Sequence, residues 1–469
     1  MIGRLIFTFA VLIAYGAITF NVTSRQFSPT GDEPHYLVIT HSLATDGDIS
    51  LLNNYQEQHY RIFYPSLLAK RTTASADKKR EIPTFGLGMP LFLVPLYKYA
   101  YYNEPHRLVL YLRLGVCAVA VFGLYHLLAL AQSLTGKKAV PFLIVGGAAF
   151  ASPLVTYSSQ FYPEIFAFSI LVISLRALHS QSVTPRFSSL LLSFTPGILV
   201  WLHPKYLALA VVLTAITAFF LHMQKKSIAF RALHLAIALS GIASFFLFLH
   251  DKYGSWSPNR IYGGWQKQAS LVDLLQQEGI QRLGVMTKMF FGFWLDERFG
   301  LLPYAPYYVA FFTALIWCLK SKQKATYPAL ILLGLHLLPL CWGAPLGGYA
   351  PPGRHFVVMI PLLLTPVFLL YSKWISEQKA LFTTLQLAAL FIAFQMFMNY
   401  RKIFANVTWR NPDGGSEFWP LLHLERWIPN CIATQPEYGL VAAWVVFVAL
   451  FAFLLYPRAS APAGAETVS

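Results

Sequence analysis

The chain has 469 residues, of which 56% are hydrophobic and only 12% are charged. Soluble domains carry about 25% charged residues, so this composition excludes an ordinary water-soluble protein and favours a membrane protein. Lys and Arg total 36 against 20 Asp and Glu. The basic residues stand in short clusters between apolar runs, which is typical of membrane topology signals rather than of nucleic-acid binding.

Apolar segments of membrane-spanning length recur along the whole chain. The first, at about 4–22, is interpreted as an uncleaved helix rather than a signal peptide, because its apolar run is long and further spans follow. The long polar region 23–106 separates it from the next span. We therefore predict an all-α polytopic membrane protein with about twelve transmembrane helices in a single domain, 1–456, and a disordered cytoplasmic tail, 457–469. The later candidate spans are 107–132, 139–153, 163–179, 187–202, 205–222, 228–249, 301–319, 327–342, 354–371, 380–398 and 438–456.

Charge predicts which side each loop faces. If the N-terminus is cytoplasmic, the short basic loops all fall on the cytoplasmic side, as the positive-inside rule requires. The long loops 23–106, 250–300 and 399–437 then lie outside, and they hold most of the acidic residues. The basic residues of the short loops are Lys137, Lys138, Arg186, Lys225, Lys226, Lys320, Lys322, Lys324, Lys373 and Lys379.

The first outer loop contains an acidic pair directly after the first span. Asp32 and Glu33 stand in the stretch "SPTGDEPHYLVIT". One interpretation is structural, since Thr30 and Glu33 have the spacing of a capping box. The other is that the pair is reaction machinery at the membrane face. Later in the same loop, "IPTFGLGMPLFLVPLYKYAYY" (82–102) is apolar but broken by prolines and glycines, which predicts helices lying in the membrane interface.

Further charged residues stand at the outer ends of later spans. Glu164 follows a proline at the start of a span, where it can also complement the helix dipole. Arg354 follows a Pro/Gly-rich loop; snorkelling is one explanation and a phosphate clamp is the other. His203 and Lys205 share an outer turn, where a donor-phosphate role and a structural role are equally favoured.

A second group of residues is predicted to support the site or bind the acceptor. Asp296, Glu297 and Arg298 form a charged trio that is also explained by a local salt bridge. Tyr162 and His35 stand beside the acidic candidates in the sequence and complete this group. The chain has no Gly-rich phosphate loop and no nucleotide fingerprint, so a nucleotide-sugar or ATP site is not expected.

Acids and cations at one membrane face, without a nucleotide motif, fit transfer of a sugar from a polyprenyl phosphate. The leaving phosphate needs little general-acid help, and Arg or Lys can stabilise the charge that it gains. The acceptor hydroxyl has a high pKa and benefits from a carboxylate base. One carboxylate and a few cations therefore suffice for the reaction.

Several stretches resemble the GT-C glycosyltransferases, in the protein-mannosyltransferase and aminoarabinose-transferase branch. "GDEPHY" after the first helix resembles their Asp-Glu motif, and "YPE", "IPTFGLGMPLFLVPLY", "LDERFGLLPYAP" and "PPGRHFVVMIPLL" are similar to stretches of bacterial members. The resemblance implies inverting transfer from a polyprenyl-phosphate-linked sugar on the periplasmic or extracellular side of a bacterial inner membrane. It assigns Asp32 as the catalytic base, Glu33 as its companion and Glu164 as the second acidic position.

Two departures from that family narrow the range of expected acceptors. The chain lacks the large inserted domain of the mannosyltransferases and the soluble C-terminal domain of oligosaccharyltransferases, so a lipid or cell-envelope glycan is the expected acceptor. We expect no cofactor and no metal site, although Asp32 and Glu164 are able to bind a divalent ion through oxygen. A transporter or flippase of lipid-linked saccharides is the alternative. It would be expected to carry ionisable groups near the bilayer midplane, where this sequence has almost none.

Overall fold

The computed structural model describes residues 2–25, 27–137, 139–179, 185–262, 279–343, 350–400, 415–431, 433 and 436–457. Within these ranges the regular secondary structure is helical apart from one short hairpin, so the predicted all-α class is confirmed. The predicted tail lies, from residue 458 onward, outside the described residues. The α-helices are α1 Ile2–Ser24, α2 Glu33–Thr45, α3 Leu52–Gln56, α4 Gly88–Asn103, α5 Leu108–Thr135, α6 Ala139–Phe150, α7 Leu154–Tyr157, α8 Pro163–His179, α9 Pro185–Leu202, α10 Leu207–Met223, α11 Ile228–Tyr253, α12 Gly279–Leu295, α13 Ala310–Lys320, α14 Tyr327–Gly343, α15 Ile360–Met398 and α16 Tyr438–Leu454.

Six helices in the described ranges are long and apolar enough to cross a membrane. Large apolar side chains face outward from them and from the shorter helices; Phe219 is 65% exposed and Phe453 is 75% exposed. Such a surface is stable in lipid rather than in water. The chain is therefore an integral membrane protein, and the count of about twelve spans stays a prediction. The six are Ile2–Ser24, Pro105–Thr135, Pro204–Met223, Ile228–Tyr253, Lys324–Cys341 and Lys379–Met398.

Helix α15 differs from its prediction in an informative way. The sequence predicts two spans, 354–371 and 380–398, joined by a loop, whereas Ile360–Met398 is assigned as one continuous helix. The residues predicted to form a loop are helical, so that prediction is wrong, but the chain still reverses its direction between the two predicted spans. The rings of Tyr371 and Phe382 lie 4.5 Å apart, although eleven residues of straight helix rise about 16 Å. The helix therefore bends back on itself near the predicted break.

Two other boundaries in the second half of the chain depart from prediction. The predicted span 301–319 becomes helical only with the 3₁₀ turn Pro306–Val309 and α13, because the prolines of "LLPYAP" keep the preceding residues in turns. Helix α12 lies inside the predicted outer loop 250–300. The glycines and Lys288 within it obscure the helical pattern in the sequence.

The first long loop is folded tightly against the bundle. Helix α4 buries one face and exposes another apolar face, which fits the predicted contact with the membrane interface. Its buried residues are Met89, Leu93, Tyr97 and Ala100, and its exposed ones are Leu91, Phe92, Tyr99 and Tyr102.

An unpredicted hairpin precedes α4 in the same loop. It pairs β1 (Thr72–Ala74) with β2 (Glu81–Pro83) in antiparallel register. It docks on the end of α11, where the Tyr253 hydroxyl donates to the carbonyl of Pro83 at 2.7 Å. The hairpin therefore fixes part of the first loop to a helix far away in the sequence.

Basic residues gather at one end of the bundle. Arg176, near the end of α8, bonds to His126 at 2.9 Å. The last residue of α8, His179, bonds to the carbonyl of Ala325 at 2.9 Å. Ala325 follows Lys320 and belongs to the same basic loop. The last turn of α8 therefore contacts the predicted basic loop 320–324 and its neighbour Ala325, whereas Glu164 lies in the first turn of the same helix.

Candidate active site

Four residues that the sequence singled out meet in one ionic network. The Nη1 atom of Arg354 donates to Oδ2 of Asp32 at 2.8 Å, and its Nε donates to Oε1 of Glu164 at 2.7 Å. The ammonium of Lys205 donates to the same Oε1 atom at 2.5 Å. These residues are separated by up to 322 positions in the chain. These contacts bring the four candidates together, and their predicted place on the outer side of the membrane stays a prediction.

The side chains of the network become progressively more buried from Asp32 to Glu164. The side chain of Asp32 is 36% exposed, those of Arg354 and Lys205 are 18% and 14% exposed, and that of Glu164 is fully buried. Asp32 is thus the carboxylate that a molecule arriving from water meets first. Its Oδ1 atom makes no hydrogen bond with any residue that the structure describes. That oxygen can accept a proton from a bound hydroxyl.

Local backbone geometry holds Arg354 between the two carboxylates. Gly353 has a φ of +74°, and a Cβ there would lie 3.0 Å from Pro153. Only glycine fits that position without strain. The amide of Gly353 also donates to the carbonyl of Phe299 at 3.0 Å. Beneath the guanidinium lies the ring of Tyr162, 4.3 Å from it, which adds a cation–π contact.

Burial lowers the tendency of the Arg354 guanidinium to carry charge, but its two carboxylate neighbours reverse that effect. The pKa of Arg354 is raised well above its ordinary value because Glu164 and Asp32 stabilise the cation more than burial destabilises it. Arg354 is therefore a permanent positive charge. Its Nη2 group makes no hydrogen bond with the described residues and remains able to bind an anion.

Lys205 is positioned by a tight turn that the first loop covers. His203 caps the 3₁₀ turn Pro204–Tyr206, since its Nδ1 accepts from the amide of Lys205 at 3.2 Å. A Cβ on Gly86 would lie 2.2 Å from the carbonyl oxygen of Leu202. The "GLG" of the first loop thus lets its backbone approach the residue just before His203. Burial, with Lys205 nearby, lowers the pKa of His203, so its imidazole is neutral at pH 7.

Glu33 faces away from the network. Its carboxylate is fully buried and accepts from the amide of Thr30 at 2.8 Å and from the amide of Phe161 at 3.0 Å. The first of these bonds ties Glu33 back to Thr30, while the N-cap of α2 is Asp32 rather than Thr30. Burial raises the pKa of Glu33, while the buried cation Arg113 and the two amides oppose that rise. The geometry therefore favours Glu33 as a positioning residue that fixes the turn carrying Asp32.

Arg113 is a member of this region that the sequence analysis did not select. Its guanidinium is fully buried in α5 and donates to Oγ1 of Thr23 and to the carbonyl of Phe27, both at 3.2 Å. It stood in an apolar run, where a lone arginine near a span end is usually explained by snorkelling. Arg113 could have been selected only if Glu33 were known to be buried near it, and the sequence does not reveal that burial.

His35 and Tyr162 lie on either side of Asp32. Nδ1 of His35 bonds to the hydroxyl of Tyr55 at 2.8 Å, and its ring stacks on Phe85 at 5.5 Å. Burial lowers the pKa of His35 to about 4, so it is neutral at pH 7. Tyr162 supports Arg354 from below. The predicted acceptor role of these two residues stays a prediction.

The trio at 296–298 is buried and binds backbone. Oδ1 of Asp296 accepts from the amides of Arg298 and Phe299, and Oδ2 accepts from the amide of Cys431 at 2.9 Å. The carbonyl of Glu297 accepts from the indole of Trp419 at 2.7 Å. The trio thus joins two of the predicted outer loops, and the backbone of Phe299 links it to the loop of Arg354. Its predicted support role is consistent with this geometry.

Two histidines next to the network, of which His336 is buried and His355 is partly buried, were missed by the sequence analysis. His336, in the middle of α14, is within electrostatic range of Lys205 and Glu164, and its ring stacks on Tyr206 at 5.8 Å. His355 directly follows Arg354 and interacts with the same charged groups. A lone histidine in an apolar run carries no signal in one sequence, so only the fold reveals their position.

Asp32 and Glu164 are bridged by a guanidinium, which occupies the place that a shared metal ion would need. Among the described residues no group of three or more His, Cys, Asp or Glu side chains is arranged to hold a metal. The expectation that the reaction needs no metal stays a prediction.

No protein-family model matches this chain, and neither a curated protein nor a solved structure matches it.

Proposed function

We propose that this chain is an inverting glycosyltransferase that moves a sugar from a polyprenyl phosphate to a lipid or cell-envelope glycan. The observation that carries the proposal is the bridge made by Arg354 between the exposed carboxylate Asp32 and the buried carboxylate Glu164, with Lys205 on the same buried oxygen. A half-exposed base beside two fixed cations is what displacement of a lipid phosphate requires.

The base in this reaction is Asp32. Its carboxylate takes the proton of the acceptor hydroxyl as the hydroxyl oxygen bonds to the anomeric carbon of the donor. The bond between that carbon and the phosphate oxygen breaks, and its electron pair leaves with the phosphate. A single displacement inverts the anomeric carbon and needs only one carboxylate at the reacting atoms.

The two cations stabilise the charge that develops on the leaving phosphate. Arg354 still has its Nη2 donors, and Lys205 has two ammonium protons beyond the one that it shares with Glu164. Glu164 is fully buried behind both cations, so its role in this proposal is to hold them in place. Cations that are already fixed need no reorganisation during the reaction, which is the main source of electrostatic catalysis.

The basic end of the bundle supports the direction of the reaction. If that end faces the cytoplasm, as the positive-inside rule predicts, the network opens to the periplasmic or extracellular side of a bacterial inner membrane. Polyprenyl-phosphate sugars are the donors suited to that side, because they remain in the membrane and need no nucleotide site.

The proposal is tested in proteoliposomes that contain undecaprenyl-phosphate glycosides and extracted envelope lipids as acceptors. Transfer releases free undecaprenyl phosphate, whereas flipping moves the glycoside without cleaving it. The wild-type protein should release undecaprenyl phosphate. Asp32→Asn should lower the rate by about 10²- to 10⁴-fold, which is the usual contribution of a general base.

A matched control is Asp251→Asn, which removes an acid at the outer end of α11 whose side chain is 69% exposed. This variant should retain the wild-type rate. If Asp32→Asn turns over as fast as the control, the base assignment is wrong. If the wild-type protein moves the glycosides across the bilayer without releasing undecaprenyl phosphate, the chain is a flippase.

A further inference from the structure

Several buried polar atoms beside the ionic network make no hydrogen bond with any described residue. They are Oε2 of Glu164, both ring nitrogens of His336 and Nδ1 of His355. The side chain of His336 is only 1% exposed and lies inside a membrane protein. Leaving polar atoms in this state is costly, and native proteins rarely do so without a functional reason.

These atoms belong to one cluster, which we call the histidine cluster (Glu164 Oε2, His336 and His355). The ammonium of Lys205 joins it to the network, since it bonds to the other oxygen of Glu164 and lies 5.2 Å from the ring of Tyr206. That same ring stacks on His336. His355 interacts electrostatically with both Glu164 and His336. The cluster therefore adjoins the buried part of the network, at Glu164 and Lys205.

The hydrogen-bonding groups of the cluster indicate which part of a lipid-linked donor it can bind. A phosphate offers only acceptor oxygens at neutral pH and is repelled by the free carboxylate oxygen of Glu164. An isoprenoid chain has no hydrogen-bonding group and would leave every atom of the cluster unpaired. A hydroxyl both donates and accepts, so it satisfies a carboxylate oxygen on one side and an imidazole nitrogen on the other.

We propose that the histidine cluster is the subsite that binds the hydroxyl groups of the donor sugar, with His336 and His355 as the residues that recognise it. This inference rests on the proposed function and adds which residues distinguish a glycosylated polyprenyl phosphate from the bare lipid. His336 donates through one ring nitrogen and accepts through the other. The ring of Tyr206 supports the imidazole from one side.

Binding of two kinds of lipid to the purified protein in detergent tests this subsite. One probe is undecaprenyl phosphate. The others are its mannosyl, glucosyl, galactosyl and arabinosyl derivatives. Wild-type protein should bind at least one glycosylated probe more tightly than the bare lipid. His336→Phe keeps an aromatic ring against Tyr206 but removes both nitrogens, so it should weaken binding of that glycosylated probe about five- to tenfold and leave the bare lipid unchanged.

Two further variants complete the test. His355→Phe should give the same selective loss, and it carries the test if His336→Phe does not accumulate. His234→Phe is the matched control, because His234 is equally buried but lies in α11, bonded to the carbonyl of Phe230. This control should bind both lipids as the wild type does.

The outcomes separate this inference from the proposed function. If both histidine variants bind the glycosylated probe as the wild type does, the histidines have only a packing role and the subsite is refuted. Equal loss for both lipids would also refute it, because the effect would not depend on the sugar. If the wild type binds both kinds of lipid with equal affinity, the subsite fails while polyprenyl-phosphate binding stands. If the wild type binds neither kind, the proposed function itself fails.

Discussion

The ion pair between Arg354 and Glu164 should make a large, measurable contribution to stability. A double-mutant cycle of Arg354→Ala and Glu164→Gln isolates it, because the cycle subtracts the separate effect of each side chain. A second cycle, of Arg354→Ala and Asp32→Asn, serves as the internal comparison. Both cycles share the same arginine and differ in how far the carboxylate is buried.

The magnitudes follow from geometry and exposure. Two unit charges about 4 Å apart attract by about 4 kcal/mol at an effective dielectric constant of 20. Glu164 is fully buried but shares its oxygen with Lys205, which remains in every variant and compensates part of the loss. We expect a coupling free energy of about 2 kcal/mol for Arg354 with Glu164. Asp32 is 36% exposed, so solvent screens its pair with Arg354 and reduces the coupling to about 1 kcal/mol or less.

Equilibrium unfolding by sodium dodecyl sulfate in mixed micelles with dodecyl maltoside measures these free energies for each variant. The ratio of the two couplings matters more than either value, since systematic errors of the method cancel. Additive effects of Arg354→Ala and Glu164→Gln, within about 0.5 kcal/mol, would refute the bridge. A larger coupling for Asp32 than for Glu164 would contradict the order of burial in the network.

Three further predictions address other parts of the molecule. Burial raises the pKa of Glu297 to about 7 from its ordinary 4.5; the native state then holds its proton more tightly than the unfolded state, so stability should fall by about 3 kcal/mol as pH rises from 4.5 to 7. Glu297→Gln should abolish that part of the decline, seen as equal thermal midpoints at pH 5.5 and pH 8. Glu33→Ala leaves the amides of Thr30 and Phe161 without this acceptor and removes a negative charge that influences buried Arg113, so it should destabilise the protein by about 3 kcal/mol in the same detergent titration. In a variant without native cysteines, a membrane-impermeant maleimide should label Lys79→Cys but not Lys225→Cys in intact spheroplasts; the reverse pattern would invert the topology.

The sequence was most informative about charged residues, because in this chain they are rare and stand at the ends of helices. Asp32, Glu164 and Arg354 were selected because charged residues are rare in this chain and each stands at the outer start of a helix. The positive-inside rule predicted that they share one side of the membrane, and the structure brings all three into direct contact with one another or with Lys205. Their partners were not predictable, since no local rule says that one guanidinium bridges two carboxylates.

Features that depend on tertiary packing were missed. Helix α12 and the hairpin of the first loop have weak local patterns and are stabilised by the segments on which they pack. Glu33 was grouped with Asp32 because the two are adjacent, yet adjacent residues at a helix start point in different directions. The side chain of Glu33 enters the bundle toward the amide of Phe161, while that of Asp32 remains accessible. Proximity in sequence therefore did not predict that the two carboxylates have different surroundings.

In the proposed transfer reaction, the order of burial in the network constrains how the two substrates approach. In an inverting displacement the nucleophile and the leaving group lie on opposite sides of the anomeric carbon. Asp32 is the exposed end of the network, so the acceptor hydroxyl must come from the side that faces water. The cations and the histidine cluster are more buried than Asp32, so the phosphate and the sugar hydroxyls would be held inside the protein with the anomeric carbon turned toward Asp32. A lipid-borne donor meets that requirement because its isoprenoid chain remains in the bilayer, whereas a soluble donor would have to pass the base first.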